Sequence, residues 1–136
     1  MSDTEKKQLP SYYSIYSVEH IENIYDHIVY KMVIEKRYRD PGYTVFKLTE
    51  ELGADLRLIS SAISMRYRGS FSQMIGDLRT KEAEYMLSDP HFLNRTTEEI
   101  GAMAGFANRQ SFYNAFIRRR RMTPLEYRRQ YFDDNK

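Results

Sequence analysis

Hydrophobic residues recur at three- and four-residue intervals along most of the chain, which is the spacing of one face of an α-helix. Proline, glycine, aspartate and asparagine interrupt the pattern, for example in the DPG of residues 40–42 and the DPHFLN of residues 89–94. The pattern therefore predicts an all-α fold with about seven helices. The predicted helical segments lie at residues 18–39, 45–52, 56–66, 70–87, in the two halves of 97–119, and at 123–131.

Residues 100–116, with the sequence IGAMAGFANRQSFYNAF, predict two short helices that meet at a glycine turn. Gly101 and Ala104 are small enough for a close helix crossing, and Gly105 suits the turn. The apolar anchors are Ile100, Phe106, Phe112 and Phe116, and the outward polar residues are Asn108, Arg109, Gln110, Tyr113 and Asn114. Because Arg, Asn and Gln match base edges in the major groove, this surface favours DNA recognition. A plain helical hairpin with a solvated polar face explains this segment alone equally well.

A second copy of the pattern lies upstream and favours the DNA-binding interpretation. The TEELGA and TEEIGA segments match by letter, but the buried positions set a different register, which pairs Gly53 with Gly105. In this register a supporting helix covers residues 45–52, and Asp55 caps a second helix over residues 56–66. The outward residues of the second helix are predicted to be Arg57, Ser60, Ser61 and Ser64. Serine hydroxyls bond to phosphate or to any base, so this unit is expected to bind with little sequence preference.

One helix over residues 70–87, capped by Ser70, is predicted to join the helix-turn-helix units at 44–66 and 97–119. Such a helix is a rigid spacer between the two units. Within it, Arg79 is expected to pair with an acid on the core side, with contact to a phosphate as the alternative.

The ends of the chain differ from its centre. A final helix over 123–131 begins with Thr123 as its cap and Pro124 in its first turn. Residues 1–17 are predicted to be a flexible, tyrosine-rich arm that either contacts a partner or packs on the domain. With residues 133–136 as a tail, the compact domain is expected to span 18–132.

Basic charge is concentrated near the second unit, although the formal net charge is only +2. Residues 1–56 contain seven basic and ten acidic residues, whereas residues 105–130 contain seven arginines and one glutamate. The run Arg118–Arg121 is the densest part of this basic region. This asymmetry predicts phosphate binding beside the second recognition helix, with a solvated helix end as the alternative.

The composition argues against several other classes of protein. The chain has no cysteine, which excludes disulfides and cysteine-ligated zinc. Its histidines, His20, His27 and His91, lie outside any metal-binding or catalytic spacing, so we expect no metal, no cofactor and no enzymatic activity. No segment has the roughly 20 apolar residues needed to cross a bilayer, and the polar N-terminus lacks a signal-peptide core, so a cytoplasmic, nucleoid-associated protein is expected.

With these features the chain resembles the C-terminal DNA-binding domain of the AraC family of bacterial transcription regulators. Four blocks carry the resemblance: LTEELGADLRLISSAIS, SFSQMIGDLRTKEAEYML, TTEEIGAMAGFANRQSFYNAFIR and MTPLEYRR. They cover about residues 44–129. The resemblance implies two helix-turn-helix units joined by a linker helix, which read adjacent major grooves from one face of double-stranded DNA. Two residues depart from the family pattern: Thr49 replaces the usual alanine, and Arg121 replaces the usual glycine and so removes an easy helix stop.

The resemblance also implies roles for individual residues. Base-reading positions fall on Arg57, Ser60, Ser61, Ser64, Arg109, Gln110, Tyr113 and Asn114. Phosphate contacts are expected from Asn108, Ser111, Arg118, Arg119, Arg120, Arg121 and Arg128. The expected function is therefore sequence-specific regulation of transcription, and RNA polymerase is a partner that this function allows.

Two other functions stay open from the sequence. One is a DNA-binding accessory or architectural factor of a mobile element, and the other is a protein-interaction module that uses the N-terminal residues. A sensor domain or partner protein docked on the N-terminal helix is also compatible with the sequence. The chain is accordingly either a stand-alone regulator or the output domain of a larger protein.

Overall fold

The computed structural model describes residues 16–132, in which seven α-helices and no β-strands are present. The all-α prediction is thereby confirmed. The helices are α1 (Val18–Val29), α2 (Val45–Leu52), α3 (Leu56–Arg66), α4 (Phe71–Leu87), α5 (Thr97–Ala104), α6 (Arg109–Arg120) and α7 (Pro124–Tyr131). Shorter 3-10 turns occupy Arg37–Arg39 and Pro90–Phe92.

Every one of these helices begins with a polar side chain that accepts a hydrogen bond from a backbone amide of the first turn. The caps are Ser17, Thr44, Asp55, Ser70, Thr96, Asn108 and Thr123. In α4, α5, α6 and α7 the side chain of the third helical residue in turn accepts a hydrogen bond from the backbone amide of the cap residue, which forms a capping box. The helix starts are thus encoded locally.

The apolar faces of the helices form two cores, and α4 contributes to both. The first core joins α1, α2 and α3 through residues such as Ile21, Leu48 and Ile59, all fully buried. The second joins α5 and α6 through Ile100, Phe112 and Phe116. Helix α4 supplies Met74 and Ile75 to the first core, and Ala83, Met86 and Leu87 to the second. One continuous helix therefore anchors both helix-turn-helix units.

The first helix is shorter than the hydrophobic pattern predicts. Helix α1 ends at Val29 and continues as one π-helical turn over Tyr30–Ile34, after which Lys36 adopts a left-handed conformation with φ of 53°. The reversal brings Tyr38 into the first core, where it is 5% exposed. Burial of this ring competes with extension of the helix to residue 39.

Two residues of the predicted N-terminal arm, Tyr16 and Ser17, fall within the described residues. Tyr16, assigned to the flexible arm, packs on the first core, and its hydroxyl donates a hydrogen bond to Asp55 at 3.1 Å. Ser17 is the cap of α1. The rest of the predicted arm and the predicted tail lie outside the described residues.

Arg79, on α4, holds the segment that follows α1 against that helix. Its side chain donates hydrogen bonds to the backbone carbonyls of Tyr38, at 2.7 Å, and Asp40, at 3.0 Å. The expectation that Arg79 pairs with an acid is therefore wrong; burial lowers its pKa, and two carbonyl oxygens compensate for the lost water. Beside this contact lies Gly105, with φ of +111°, whose Cα faces the Tyr38 carbonyl so closely that a Cβ would overlap it.

The two turn glycines provide a matched test of this packing. Gly53, with φ of +60°, has open space where a Cβ would be placed, whereas Gly105 does not. We expect Gly53→Ala to lower the free energy of unfolding by about 1 kcal/mol through backbone strain alone. Gly105→Ala should cost at least about 3 kcal/mol, because overlap with Tyr38 is added to that strain. Urea denaturation measures both, and equal losses would contradict the described contact between the units.

Arg121 ends α6 in the left-handed conformation that glycine adopts most easily. Its φ is 60°, and its amide donates to the carbonyl of Ile117 at 2.8 Å. The helix thus bends and stops at this position despite the loss of the usual glycine, because the left-handed conformation of Arg121 still closes the last turn.

Replacing this arginine by glycine should stabilise the protein. We expect Arg121→Gly to raise the free energy of unfolding by about 1 kcal/mol, since the steric cost of a left-handed arginine is removed. The control is Arg118→Gly, which lies within α6 and should instead destabilise by about 0.5–1 kcal/mol. Thermal unfolding of both variants gives the comparison, and a loss of stability in Arg121→Gly would refute the strain argument.

Candidate nucleic-acid interface

Helix α3 presents a short polar face to solvent. Arg57, Ser60 and Ser64 are exposed on it, as predicted for the first reading surface. Ser61 is only 7% exposed, so the prediction that it points outward is wrong. At 100° per residue, Ser61 lies at the edge of the buried arc beside Leu58, and the packing of that arc covers it.

Helix α6 presents a broader outward face. Arg109, Gln110 and Asn114 are exposed, and Tyr113 is half-buried. The opposite face carries Phe112 and Phe116, which are buried in the second core. Asn108 and Ser111, predicted to bind phosphate, already hydrogen-bond to each other's backbone in the capping box at the start of α6. A phosphate there would have to use their remaining hydrogen-bonding capacity.

Arg109 is held in place by two neighbours. Its Nε donates to the Glu98 carboxylate at 3.1 Å, and its guanidinium lies 4.1 Å from the centre of the Tyr113 ring. The pKa of Glu98 is lowered, first by a backbone hydrogen bond at the start of α5 and second by the hydrogen bond from Arg109. Glu98 was not among the predicted site residues, because its proximity to Arg109 depends on how α5 and α6 pack. Its carboxylate fixes the orientation of the Arg109 guanidinium and would compete for it with a bound anion.

Three of the arginines predicted to bind phosphate form contacts within the protein. Arg119, with a side chain 19% exposed, pairs with Asp77 and donates to the carbonyls of Ala115 and Gln73 at 3.3 and 3.4 Å. Arg120 pairs with Glu84 on α4. These contacts would compete with a phosphate for both residues, whose phosphate role stays a prediction.

Arg128 is the third such residue. It donates to the carbonyls of Arg95, at 2.7 Å, and Phe92, at 3.0 Å, and so ties α7 to the loop before α5. These two internal acceptors would compete with a phosphate, so the predicted phosphate role of Arg128 stays a prediction. By contrast, Arg118 and Arg121 are exposed, and within residues 16–132 neither forms an ion pair.

Asp77, on the middle of α4, connects the ends of α3 and α6. Its carboxylate accepts hydrogen bonds from the Tyr67 hydroxyl, just after α3, and from Arg119 near the end of α6. An open cleft beside it is lined by Arg68, Gln73 and Arg118, among others. The C-terminal ends of α3 and α6 therefore meet at one carboxylate, and both contribute an arginine to the same cleft. Sequence reasoning did not identify Asp77 or Tyr67, because the pairing joins residues on three elements.

Within the described part of the chain, none of the helices combines the length and apolarity that a membrane span requires. The same residues contain no group of histidines and carboxylates arranged to hold a metal ion.

Comparison with known proteins agrees with this geometry. Residues 48–130 match the profile of a helix-turn-helix domain family of the AraC type. No curated protein gives a significant match.

Three solved structures share the fold. The C-terminal domain of AraT, a response regulator from Geobacillus stearothermophilus, is 20% identical, with a TM-score of 0.66 over 82% of this chain and 84% of that one. The C-terminal domain of the two-component response regulator yesN from Fusobacterium nucleatum is 24% identical, with a TM-score of 0.60 over 81% and 95%. A protein of unknown function from Listeria innocua is 16% identical, with a TM-score of 0.65 over 82% and 96%.

The different environments of Arg118 and Arg119 can be separated by experiment. Arg118→Gln should weaken binding to all DNA sequences alike and reduce the slope of log affinity against log salt by about 1. Arg119→Gln should leave that slope nearly unchanged and lower the free energy of unfolding by about 1.5–3 kcal/mol, since charged hydrogen bonds to Asp77 are lost. Salt titrations of DNA binding and urea denaturation provide the two measurements. A larger change of slope for Arg119→Gln would support its predicted phosphate role.

Proposed function

Because the chain belongs to the AraC-type helix-turn-helix family, we propose that it regulates transcription by reading two adjacent major grooves of double-stranded DNA with α3 and α6. The observation that supports this most directly is the linkage of both recognition helices to α4 through Asp77. Two probes fixed to one rigid helix can enter successive turns of the duplex, which are about 34–36 Å apart, without dimerisation.

The two helices have different roles in this proposal. Arg109, Gln110 and Asn114 on α6 read base edges, because their side chains can form paired hydrogen bonds with guanine or adenine. Arg57, Ser60 and Ser64 on α3 supply hydroxyls and one cation, which bind the neighbouring groove with weaker base preference. Tyr113 supports Arg109 by stacking beneath its guanidinium.

Exposed basic residues supply the contacts to the DNA backbone. Arg118 and Arg121 at the end of α6 fill this role, and release of counterions from the phosphates provides the associated free energy. Contact with RNA polymerase, and docking of a partner protein on α1, remain predictions that accompany this function.

Selection of bound sequences from a random double-stranded DNA pool, repeated at several salt concentrations, tests the proposal. We expect a two-part site, with strong base preferences in the half bound by α6 and weak ones in the half bound by α3. Failure to bind any DNA at low salt would refute the proposal and favour a protein-interaction module. Binding without sequence enrichment would favour an architectural role.

A substitution then tests the assignment of α6 as the main reading helix. Arg109→Ala should weaken binding to the selected site by about 1–3 kcal/mol and relax the preference at one base pair. The matched control is Arg57→Ala, at the corresponding end of α3, which should weaken binding to the selected site and to random DNA by a similar factor. Equal losses for Arg109→Ala on selected and random DNA would show that Arg109 binds phosphate instead.

A further inference from the structure

Ile117 is an exposed hydrophobic residue on the outward face of α6. Its side chain is 40% exposed. At 100° per residue it lies on the same face as Gln110, Tyr113 and Asn114, which precede it by seven, four and three positions. The second core is on the other side of the helix, where Phe112 and Phe116 are buried. Ile117 therefore belongs to the proposed reading surface and not to the core.

Isolated exposed hydrophobic residues are common on proteins and need no explanation by themselves. The position of Ile117 is more informative, because polar side chains and arginines surround it on a surface proposed to contact a polyanion. A branched hydrocarbon side chain forms no hydrogen bond with a phosphate or with the polar edge of a base. In the major groove, the apolar group presented by the four bases is the C5-methyl of thymine.

We propose that Ile117 determines specificity by packing against the C5-methyl group of a thymine in the groove occupied by α6. This inference rests on the proposed function, because it requires α6 to lie in a major groove. Seven residues of helix separate Ile117 from Gln110, a rise of about 10 Å, which corresponds to about three base pairs. The thymine is therefore expected near the edge of the α6 half-site, within about three base pairs of the position read by Gln110.

Replacement of thymine by deoxyuridine tests this contact, because it removes the methyl group and leaves all hydrogen-bonding groups in place. Starting from the selected site, each thymine of the α6 half is replaced singly and affinity is measured. For the unsubstituted protein, one replacement should weaken binding roughly threefold to fivefold, the value of one buried methyl group. Ile117→Ala should lose a similar factor on thymine DNA and show no further loss on deoxyuridine at that position.

Two controls distinguish a specific contact from a general effect. Leu125→Ala removes a side chain of nearly equal exposure, 41%, on α7, and should retain full sensitivity to deoxyuridine. Ile117→Val keeps a branched side chain with methyl groups and should retain most of the sensitivity to deoxyuridine. Thermal unfolding verifies that each variant is folded. Because Ile117 is exposed, we expect its substitution to leave the fold intact.

The possible outcomes separate this inference from the proposed function. If the pool yields no bound sequences, the proposed function fails and this inference fails with it. If a site is found but contains no thymine in the α6 half, or if Ile117→Ala keeps the sensitivity of the unsubstituted protein to deoxyuridine, only the role of Ile117 is overturned. Loss of sensitivity at one position alone, in Ile117→Ala and not in Leu125→Ala, supports it.

Discussion

The carboxylate of Asp77 is the contact on which the arrangement of the two recognition helices depends. Hydrogen bonds from Tyr67 and Arg119 converge on it from the ends of α3 and α6. Each helix is fixed within its own unit by hydrophobic burial, and α4 packs into both cores. The charged acceptor with its directional partners restricts the arrangement further, because rotation of either unit about α4 would break one of the two interactions.

A second contact restricts the same relative movement from the opposite end of the first unit. Arg79 binds the carbonyls of Tyr38 and Asp40, and the turn at Gly105 lies directly against the first of these. Two attachment points on different sides of α4 resist rotation better than one. Both are polar, so hydrogen-bond geometry adds direction to the apolar packing that α4 provides in the two cores.

The sequence predicted the features of this fold that depend on neighbouring residues. Caps such as Ser70 and Asp55, and the turn at Gly53, act over three or four positions and were identifiable directly. The end of α1 was misplaced because Val33 and Ile34 continue the apolar pattern although they are 50% and 63% exposed. Periodicity records hydrophobicity, not burial, so it could not show where the chain leaves the helix to bury Tyr38.

The arginines of the candidate site show a similar limit with larger consequences. The sequence has four consecutive arginines at the end of α6, and nothing in the sequence alone distinguishes one of them from another. In the fold, helical phase directs Arg119 and Arg120 towards acids on α4, whereas Arg118 and Arg121 face solvent. Pairing with Asp77 and Glu84 neutralises half of the run, so the charge available to DNA is smaller than the sequence indicates. The remaining exposed arginines, Arg118 and Arg121, lie beside the outward face of α6. Under the proposed function they bind the DNA backbone, so base preference is assigned to the other residues of that face and not to the basic cluster.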